Sequence, residues 1–258
     1  MSALQLGTLE KAQKILDLYY RNAESLTFSE IVEKTGLEKG SVQRLLYSLQ
    51  SLGFLTRHQR YKRYSLSPRF ISFAVSYLQT DPLMNLAIKH LEPLAKQTSE
   101  SVGIAILDGI NTYFIVRIPN LVSHDFALLP VRRYAYCTAG GRAIMSLLPP
   151  KEVDAILENS PMRSLTSRTI TDRAVIRRLI EQARQDGIGW QDGEVYDMEL
   201  GIDAPVIGEG GRPVAAVTVS IDKTRYTLDT AREHFTPMVR AAAQDMSSPS
   251  LTASTPSL

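Results

Sequence analysis

Apolar residues in the first fifth of the chain recur at the spacing of amphipathic helices. In residues 8–20 they return every three or four positions, which predicts a first helix. Thr27 and Glu30 form the signature of a capping box, which starts a second helix that ends at Gly36. A third helix is expected over about residues 38–52. We expect its apolar face to form the core of the module through Val42, Leu45, Leu46, Leu49 and Leu52.

A short basic hairpin follows the third helix. Gly53 ends the helix, and residues 54–56 and 64–66 are typical of two strands around a turn at residues 59–61. The hairpin carries Arg57, His58, Arg60, Lys62 and Arg63 but no acidic residue. Cations packed this closely repel one another unless an anion lies beside them, and the phosphates of a nucleic acid are the natural partner.

The second and third helices meet at the corner of a helix-turn-helix, and the hairpin has the position of a wing. Arg44 of the third helix could bind guanine with two hydrogen bonds, and Gln43 could bind adenine in the same way. Taken alone, this polar face would suit an ordinary surface helix better; the basic hairpin that follows favours DNA. The residues expected to contact DNA are Lys39, Ser41, Gln43, Arg44, Tyr47, Arg57, Arg60, Lys62 and Arg63.

Beyond residue 67 the pattern changes. An apolar helix at residues 68–80 is expected to link the winged-helix domain (1–67) to a second domain (81–245), followed by a disordered tail (246–258) rich in Ser, Thr and Pro. Strands are predicted at residues 102–107, 112–118, 126–131, 202–207 and 214–221. Helices are predicted at residues 140–148, 152–158, 172–186 and 228–243. This order indicates an α+β domain with an antiparallel sheet.

Composition and charge agree with two domains of ordinary size. The 258 residues are 44% apolar and 22% charged, as in soluble globular proteins. No run reaches the ~18 apolar residues of a membrane helix, and no secretory signal is evident. A single cysteine, Cys137, favours a reducing cytoplasm. Residues 1–80 hold 11 Lys and Arg against 6 Asp and Glu, whereas residues 81–258 hold 18 against 21, so only the first part should meet a polyanion.

The residues that usually carry catalysis do not form a recognisable group. His58, His90, His124 and His234 are far apart and lack metal-ligand spacing, and there is no nucleophile elbow. The glycines of residues 187–193 only approach a dinucleotide-binding loop, since the third is one position late. We therefore expect no catalytic residues, no metal and no cofactor. The alternatives are an enzyme or small-molecule-binding protein with an appended interaction module, and a nonspecific architectural DNA-binding protein.

Several segments together resemble one family, the IclR-type bacterial transcriptional regulators. The segments are the helix-turn-helix at residues 36–46, the start of the wing at 53–55, and residues 138–145, 165–172, 203–206 and 217–220 of the second domain. The resemblance covers about residues 5–245. It implies a winged helix-turn-helix joined to a GAF-like effector-binding domain, which assembles as dimers or tetramers on operator DNA.

The resemblance also implies a ligand site where a glycine-rich helix start faces the sheet. Its positions in this chain are Ala139, Gly140, Gln191, Asp192, Gly201, Thr218 and Ser220. Gln191, with Asp192 beside it, stands where many members have an acid, and Gly201 stands where many have a cysteine. Because members' ligands differ widely, the identity of the ligand does not carry over from the family. Free backbone amides at a helix start, here at Ala139 and Gly140, favour a carboxylate. Thr218 and Ser220 are two residues apart on one strand, so their hydroxyls share a face. Alternatively, the hydroxyls of Thr218 and Ser220 form cross-strand or backbone hydrogen bonds and bind no ligand.

The function expected from these features is ligand-responsive transcriptional control of catabolic genes by a small organic acid, aromatic acids included. Arg132, Arg133 and Tyr136 could also reach such an acid, although surface pairing suits the arginines better. The expected DNA partner is an inverted repeat bound by a homodimer or homotetramer, with half-sites one helical turn of ~34 Å apart or a multiple of it.

Overall fold

The computed structural model describes residues 6–21, 24–120 and 131–252, and the chain divides into two compact units at Thr80/Asp81. The first unit contains four helices and three strands within the described residues. They are α1 (Gly7–Arg21), β1 (Leu26–Thr27), α2 (Phe28–Thr35), α3 (Lys39–Ser51), β2 (Leu55–His58), β3 (Arg63–Leu66) and α4 (Arg69–Thr80).

Both ends of α2 form as the sequence predicts. The Thr27 hydroxyl accepts a hydrogen bond from the Glu30 amide at 3.3 Å, and the Glu30 carboxylate accepts one from the Thr27 amide at 2.6 Å. Gly36 ends the helix at φ 66°, in the left-handed region that glycine adopts without strain. These local signals fix the angle at which α2 leads into α3.

The apolar faces of α1, α2 and α3 close around one core. Val42, Leu45, Leu46 and Leu49 are buried in it as expected. The expectation for Leu52 is wrong, since its side chain is 58% exposed. The helix ends at Ser51, and the chain turns away at Gly53 with φ 74°, so the helical period no longer places Leu52 on the inner face.

The wing is part of a three-stranded antiparallel sheet in the order β1-β3-β2. The pairing of β2 with β3 confirms the predicted hairpin. β1 was not predicted, because a strand of two residues is too short to show an alternating pattern. Thr27 of β1 lies opposite Arg63 of β3, and this pairing determines where the Arg63 side chain can reach.

The predicted linker helix is α4, and its first turn packs against the base of the wing. The Phe54 ring lies 5.7 Å from the ring of Phe70 and 6.0 Å from that of Phe73, and Arg69 donates a hydrogen bond to the Leu52 carbonyl at 3.0 Å. No residue of α4 is fully buried, and Ile71 is 66% exposed. An apolar side of this helix therefore remains uncovered within the first unit.

The second unit is an α+β domain, as expected. Its elements are α5 (Pro82–Thr98), β4 (Ser101–Asp108), β5 (Asn111–Ile118), β6 (Val131–Tyr134), α6 (Ala139–Met145), α7 (Pro150–Asn159), α8 (Arg173–Asp186), β7 (Gly189–Asp192), β8 (Glu199–Ile207), β9 (Pro213–Asp222) and α9 (Leu228–Met246). The strands form an antiparallel sheet in the order β6-β5-β4-β9-β8-β7. Ala216 and Val217 are both fully buried, so both faces of β9 are covered.

One expectation about the second unit stays largely untested, and another is wrong in part. The strand expected at residues 126–131 falls mostly outside the described residues, and β6 begins at Val131. The expectation of disorder is wrong for residues 246–252. Leu251 is only 2% exposed, and its carbonyl accepts a hydrogen bond from the Glu209 amide at 2.8 Å. An apolar residue thus anchors the polar segment beside the β8–β9 connection. Residues 253–258 lie outside the described part of the chain.

Candidate functional site

The first surface of interest is the polar side of α3. Lys39, Gln43, Arg44 and Tyr47 are exposed there, and Tyr47 is 75% exposed, whereas Ser41 is half-buried. Among the described residues, no ion pair engages Lys39 or Arg44. Gly40 lies between these two cations and has no side chain, so the helix backbone can approach a neighbouring surface closely at this point.

The wing presents a second set of cations. Arg57, Arg60 and Lys62 are exposed. The guanidinium carbons of Arg57 and Arg60 each lie 5.6 Å from the centre of a tyrosine ring, Tyr64 and Tyr61 respectively. Such contacts orient a guanidinium but leave its charge in place. The wing therefore keeps at least these positive charges available to an external anion.

Arg63, the remaining arginine of the wing and also expected to contact DNA, is engaged within the protein. Its guanidinium donates to the Ser25 carbonyl at 2.9 Å and forms an ion pair with Glu30 at 3.2 Å. Hydrogen bonds from the backbone and hydroxyl of Thr27, together with nearby Arg63, lower the pKa of Glu30 below its usual value, so Glu30 stays anionic. The hairpin has no acid of its own, but α2 supplies one. Arg63 joins the wing to α2 instead of pointing outward.

A cleft in the second unit lies between α6 and the sheet. Its empty space is about 430 Å³ when the open mouth is included. The lining residues are Phe114, Arg117, Arg133, Thr138, Ala139, Gln191, Val195, Tyr196, Glu199, Gly201, Asp203 and Ser220.

Four of the expected ligand residues line this cleft: Ala139, Gln191, Gly201 and Ser220. A side chain at Gly201 would begin 3.1 Å from both the Ala139 Cβ and the Gln191 Cγ. Its absence allows α6 and β7 to close around the cleft. Gln191 is 2% exposed, and its Oε1 accepts a hydrogen bond from the Glu194 amide at 2.8 Å. The amide of Gln191 is therefore held in one orientation.

Two of the amides at the start of α6 are engaged within the protein. The Gly141 amide donates to the Thr138 hydroxyl at 3.0 Å, and the Gly140 amide donates to the carboxyl group of Asp203. Gly140 itself does not line the cleft. The protein's own side chains thus occupy these two amides of the expected anion site.

Asp192 and Thr218 also differ from the expectation. Successive strand residues point to opposite faces, so Asp192 points away from the side that Gln191 occupies. Asp192 forms ion pairs with Arg168 at 2.8 Å and with Lys223. Thr218 is 2% exposed, and its hydroxyl oxygen lies 3.1 Å from the position that a Cβ of Gly103 would take. Thr218 is therefore packed within the sheet surface beneath the cleft.

Asp203, at the edge of the cleft, was not expected from the sequence. It is 5% exposed, and its Oδ1 accepts a hydrogen bond from the Val219 amide at 3.1 Å. Burial raises the pKa of Asp203 well above its usual range, and Glu199 adds to this, while the Val219 and Gly140 amides oppose it. The available signal was a lone acid inside the otherwise apolar run of residues 200–207.

Arg117 is the other residue that the sequence analysis missed. Between Gly103 and Ala105 the pairing with β5 shifts from Arg117 to Phe114, a β-bulge that brings both side chains to the cleft. In a regular strand, residues three apart would face opposite sides. Arg117 is half-buried, and no hydrogen bond or ion pair joins its guanidinium to another residue of the described ranges.

The three residues considered as additional ligand contacts have different surroundings. Arg133 lines the cleft, where its guanidinium lies 5.1 Å from the centre of the Tyr196 ring and bonds the Tyr196 hydroxyl. Arg132 lines an adjoining outer hollow that also includes Arg133 and Tyr196. Tyr136 is fully buried, and its hydroxyl donates to the Arg163 carbonyl at 2.5 Å, so it cannot reach a ligand in the cleft.

A buried ion pair holds one wall of the cleft. Arg142 and Glu194 are 1% and 2% exposed and share two hydrogen bonds of 2.6 and 2.7 Å. Glu194 also accepts from the Ile170 amide at 3.1 Å through its carboxylate, and from the Thr169 hydroxyl at 2.7 Å through its backbone carbonyl. The segment at residues 165–170 is thereby fastened to the turn that carries Val195 and Tyr196.

Within the described residues, no group of three or more His, Cys, Asp or Glu side chains could hold a metal ion. None of the helices there is both long and apolar enough to cross a bilayer. Cys137 is buried, and this burial raises the pKa of its thiol to about 12, so the thiol stays protonated near neutral pH.

Comparison with known proteins gives matches over nearly the whole chain. Residues 8–59 match the model of the IclR helix-turn-helix domain, and residues 75–248 match that of the bacterial transcriptional regulator IclR C-terminal domain. The chain is 27% identical to the Pca regulon regulatory protein of Pseudomonas putida over 93% of this chain and 83% of that protein. It is 28% identical to the HTH-type transcriptional regulator KipR of Bacillus subtilis, over 93% and 95% of the two chains.

Among solved structures, IclR of Thermotoga maritima superposes with a TM-score of 0.64 at 26% identity. The superposition covers 94% of this chain and 98% of that one. Both units of this chain therefore have counterparts in a single solved protein.

Proposed function

Because this chain belongs to the IclR family of bacterial transcriptional regulators, we propose that it binds operator DNA through α3 and the wing and senses a small organic acid in the cleft. The family assignment makes it a DNA-binding regulator and not an enzyme, with a small-molecule ligand for the second unit. The operator, the chemistry of the ligand and the target genes, which we take to be catabolic, belong to the proposal.

The observation that carries the DNA proposal is the set of cations on α3 and the wing. Lys39, Arg44, Arg57, Arg60 and Lys62 are exposed, and no ion pair within the described ranges neutralises them. Each phosphate contact that such a cation makes releases a counterion, so the binding should weaken steeply with salt. The side chains at the start of α3 would contact base edges, while those of the wing would contact the backbone.

The proposed assembly is a homodimer or homotetramer on an inverted repeat. Ile71 and Val75 lie about one turn apart on an uncovered apolar side of α4, which supports an additional copy of the chain as its partner. Light scattering after size-exclusion chromatography tests this directly. If the protein is monomeric at concentrations at which it binds DNA, the proposed assembly is contradicted.

The proposed ligand is a carboxylate because Arg117 lies half-buried in the cleft without a partner among the described residues. A guanidinium presents two parallel N–H groups that match a carboxylate. Binding of that acid would change operator affinity by the same factor by which the operator changes affinity for the acid. An enzyme or ligand-binding protein with an unrelated appended module would show no such reciprocity.

The test measures fluorescence anisotropy of labelled duplex DNA from upstream of the chain's own gene, with unlabelled nonspecific DNA as competitor. Arg57→Ala and Arg60→Ala should weaken binding on every sequence and reduce its salt dependence. The matched control is Lys151→Ala, which removes an exposed cation from the second unit. If the protein binds no upstream duplex at low salt, the proposal is wrong. If Lys151→Ala weakens DNA binding as much as the two wing variants do, the wing is not part of the interface.

A further inference from the structure

We propose that the cleft is bipolar and selects a monocarboxylate that also carries a hydrogen-bond donor, with the carboxylate at Arg117 and the donor at Asp203. This inference rests on the proposed function, since it assumes that the cleft is the effector site. It narrows the effector to hydroxy acids and similar compounds, and it excludes dicarboxylates of the same size.

The strand register places the two charged residues at opposite ends of one row across the sheet. Asp203 of β8 lies opposite Thr218 of β9, Thr218 opposite Gly103 of β4, and Gly103 opposite Arg117 of β5. Neighbouring strands are about 4.8 Å apart, so the Cα atoms of Arg117 and Asp203 are separated by about 14 Å. Both side chains line the same cleft.

Between Arg117 and Asp203, no side chain of this row stands high enough above the sheet to exclude a ligand. Gly103 has no side chain, and a Cβ there would stand 2.5 Å from the Val116 carbonyl oxygen, so the bulge requires glycine at this position. Thr218 is buried, and in the next row Gly201 lies opposite Ser220. A ring or short chain can therefore lie across the strands.

The Asp203 end suits a donor better than an anion. Asp203 and Glu199 are both acids and both line the cleft. Two amides at the start of α6 are already used, Gly140 by Asp203 and Gly141 by Thr138. An anionic group here would face two carboxyl groups with neither amide left to receive it. A hydroxyl or amino group could instead donate to Asp203.

The Arg117 end has the opposite character. Arg133 is also close, but its guanidinium is engaged with Tyr196. Arg117 has no hydrogen-bonding or ionic partner in the described ranges, so its N–H donors are available to the ligand. The two ends together fix the direction in which a ligand must lie.

Calorimetry on the full-length protein tests the polarity with two sets of probes. One set is benzoate, 4-hydroxybenzoate and terephthalate; the other is propanoate, 3-hydroxypropanoate and malonate. In the set that binds, the hydroxy acid should bind about tenfold or more tightly than the unsubstituted acid, since it gains a hydrogen bond to a carboxyl group. The dicarboxylate should bind more weakly than the hydroxy acid. A dicarboxylate that binds as tightly, or no binding by any probe at millimolar concentration, would overturn the proposal.

Two variants separate the roles of the ends. Arg117→Gln should lower the affinity for the hydroxy acid about tenfold or more, because the charged partner of the carboxylate is lost. Asp203→Asn replaces one acceptor oxygen by a donor, so the affinity ratio of hydroxy acid to unsubstituted acid should fall towards one. Arg212→Gln and Asp154→Asn, at exposed ion pairs of the same unit, are the matched controls.

The affinity ratio of hydroxy acid to unsubstituted acid is the informative readout. A destabilised fold would lower both affinities but would not remove the preference for the hydroxy acid. Asp203→Ser serves as a second variant if Asp203→Asn does not fold. A preference retained in the folded variant would refute the role of Asp203. DNA anisotropy on the same preparations separates the two proposals: lost DNA binding contradicts the regulator, whereas intact DNA binding with a reversed ligand preference contradicts only the bipolar cleft.

Discussion

Substituting Glu194 by glutamine would leave the guanidinium of Arg142 charged and buried without its counter-ion. Arg142 is 1% exposed and donates to both carboxylate oxygens of Glu194, to the Tyr136 carbonyl at 3.1 Å and to the Trp190 carbonyl at 2.9 Å. The glutamine amide could replace one oxygen, but its NH₂ group would face either Arg142 or the Ile170 amide, which are both donors.

The magnitude follows from the burial of the pair. Removing one partner of a buried ion pair costs about 3–5 kcal/mol. Because glutamine keeps one acceptor, we expect the lower end, about 3 kcal/mol, for Glu194→Gln. For a unit of this size that corresponds to a fall in Tm of about 6–12 °C. Replacing both partners, as Arg142→Met with Glu194→Leu, should cost at least about 1 kcal/mol less than the sum of the two single changes.

Urea unfolding monitored by tryptophan fluorescence is the appropriate assay. Trp190 is the only tryptophan of the chain, and its carbonyl accepts a hydrogen bond from Arg142, so its emission reports on this region. Asp154→Asn is the control, because the Asp154–Arg177 pair is 49% and 43% exposed and should contribute no more than about 1 kcal/mol. If Glu194→Gln costs no more than this control, or if the double replacement costs the full sum, the buried pair is not coupled as the geometry implies.

Four further predictions concern the DNA-binding surface and the cleft. Arg44→Ala should cost about 1–3 kcal/mol of operator affinity and relax the choice of one base pair, as measured by anisotropy on base-substituted duplexes; an equal loss on every sequence would show a phosphate contact instead. Lys62→Gln should reduce the slope of log affinity against log salt by about 1, whereas Arg63→Gln, whose guanidinium already pairs with Glu30, should leave that slope unchanged. Ser220→Phe should fill the cleft and abolish uptake of the binding probe in calorimetry; undiminished uptake would dismiss the cleft as the site. Asp203 has a raised pKa in the folded chain, so its contribution to stability is present below its unfolded pKa of about 4 and is lost as pH rises through the folded value. Urea unfolding across pH should show that loss in the wild type and not in Asp203→Asn, and the same fall in both would contradict the assignment.

The sequence determined most of the first unit because its signals are local. The capping box of Thr27 and Glu30, the left-handed Gly36 and the helical period of α3 each depend on residues within a few positions of one another. The cations of the wing are also adjacent in the chain. Such features can be predicted without knowing the tertiary fold, and they were sufficient to indicate a winged helix and a partner of opposite charge.

The site in the second unit depended on contacts between distant residues. Arg142 and Glu194 are 52 positions apart, and the cleft side of Arg117 follows from a bulge that only the pairing with Gly103 reveals. The sequence placed an anion at the start of α6, but the structure places Asp203 there, 63 residues further along the chain. Likewise Glu30 of α2, and not any residue of the hairpin, is the acid that engages Arg63. Which charges are already paired depends on which strands and helices become neighbours, and local sequence patterns carry no information about that.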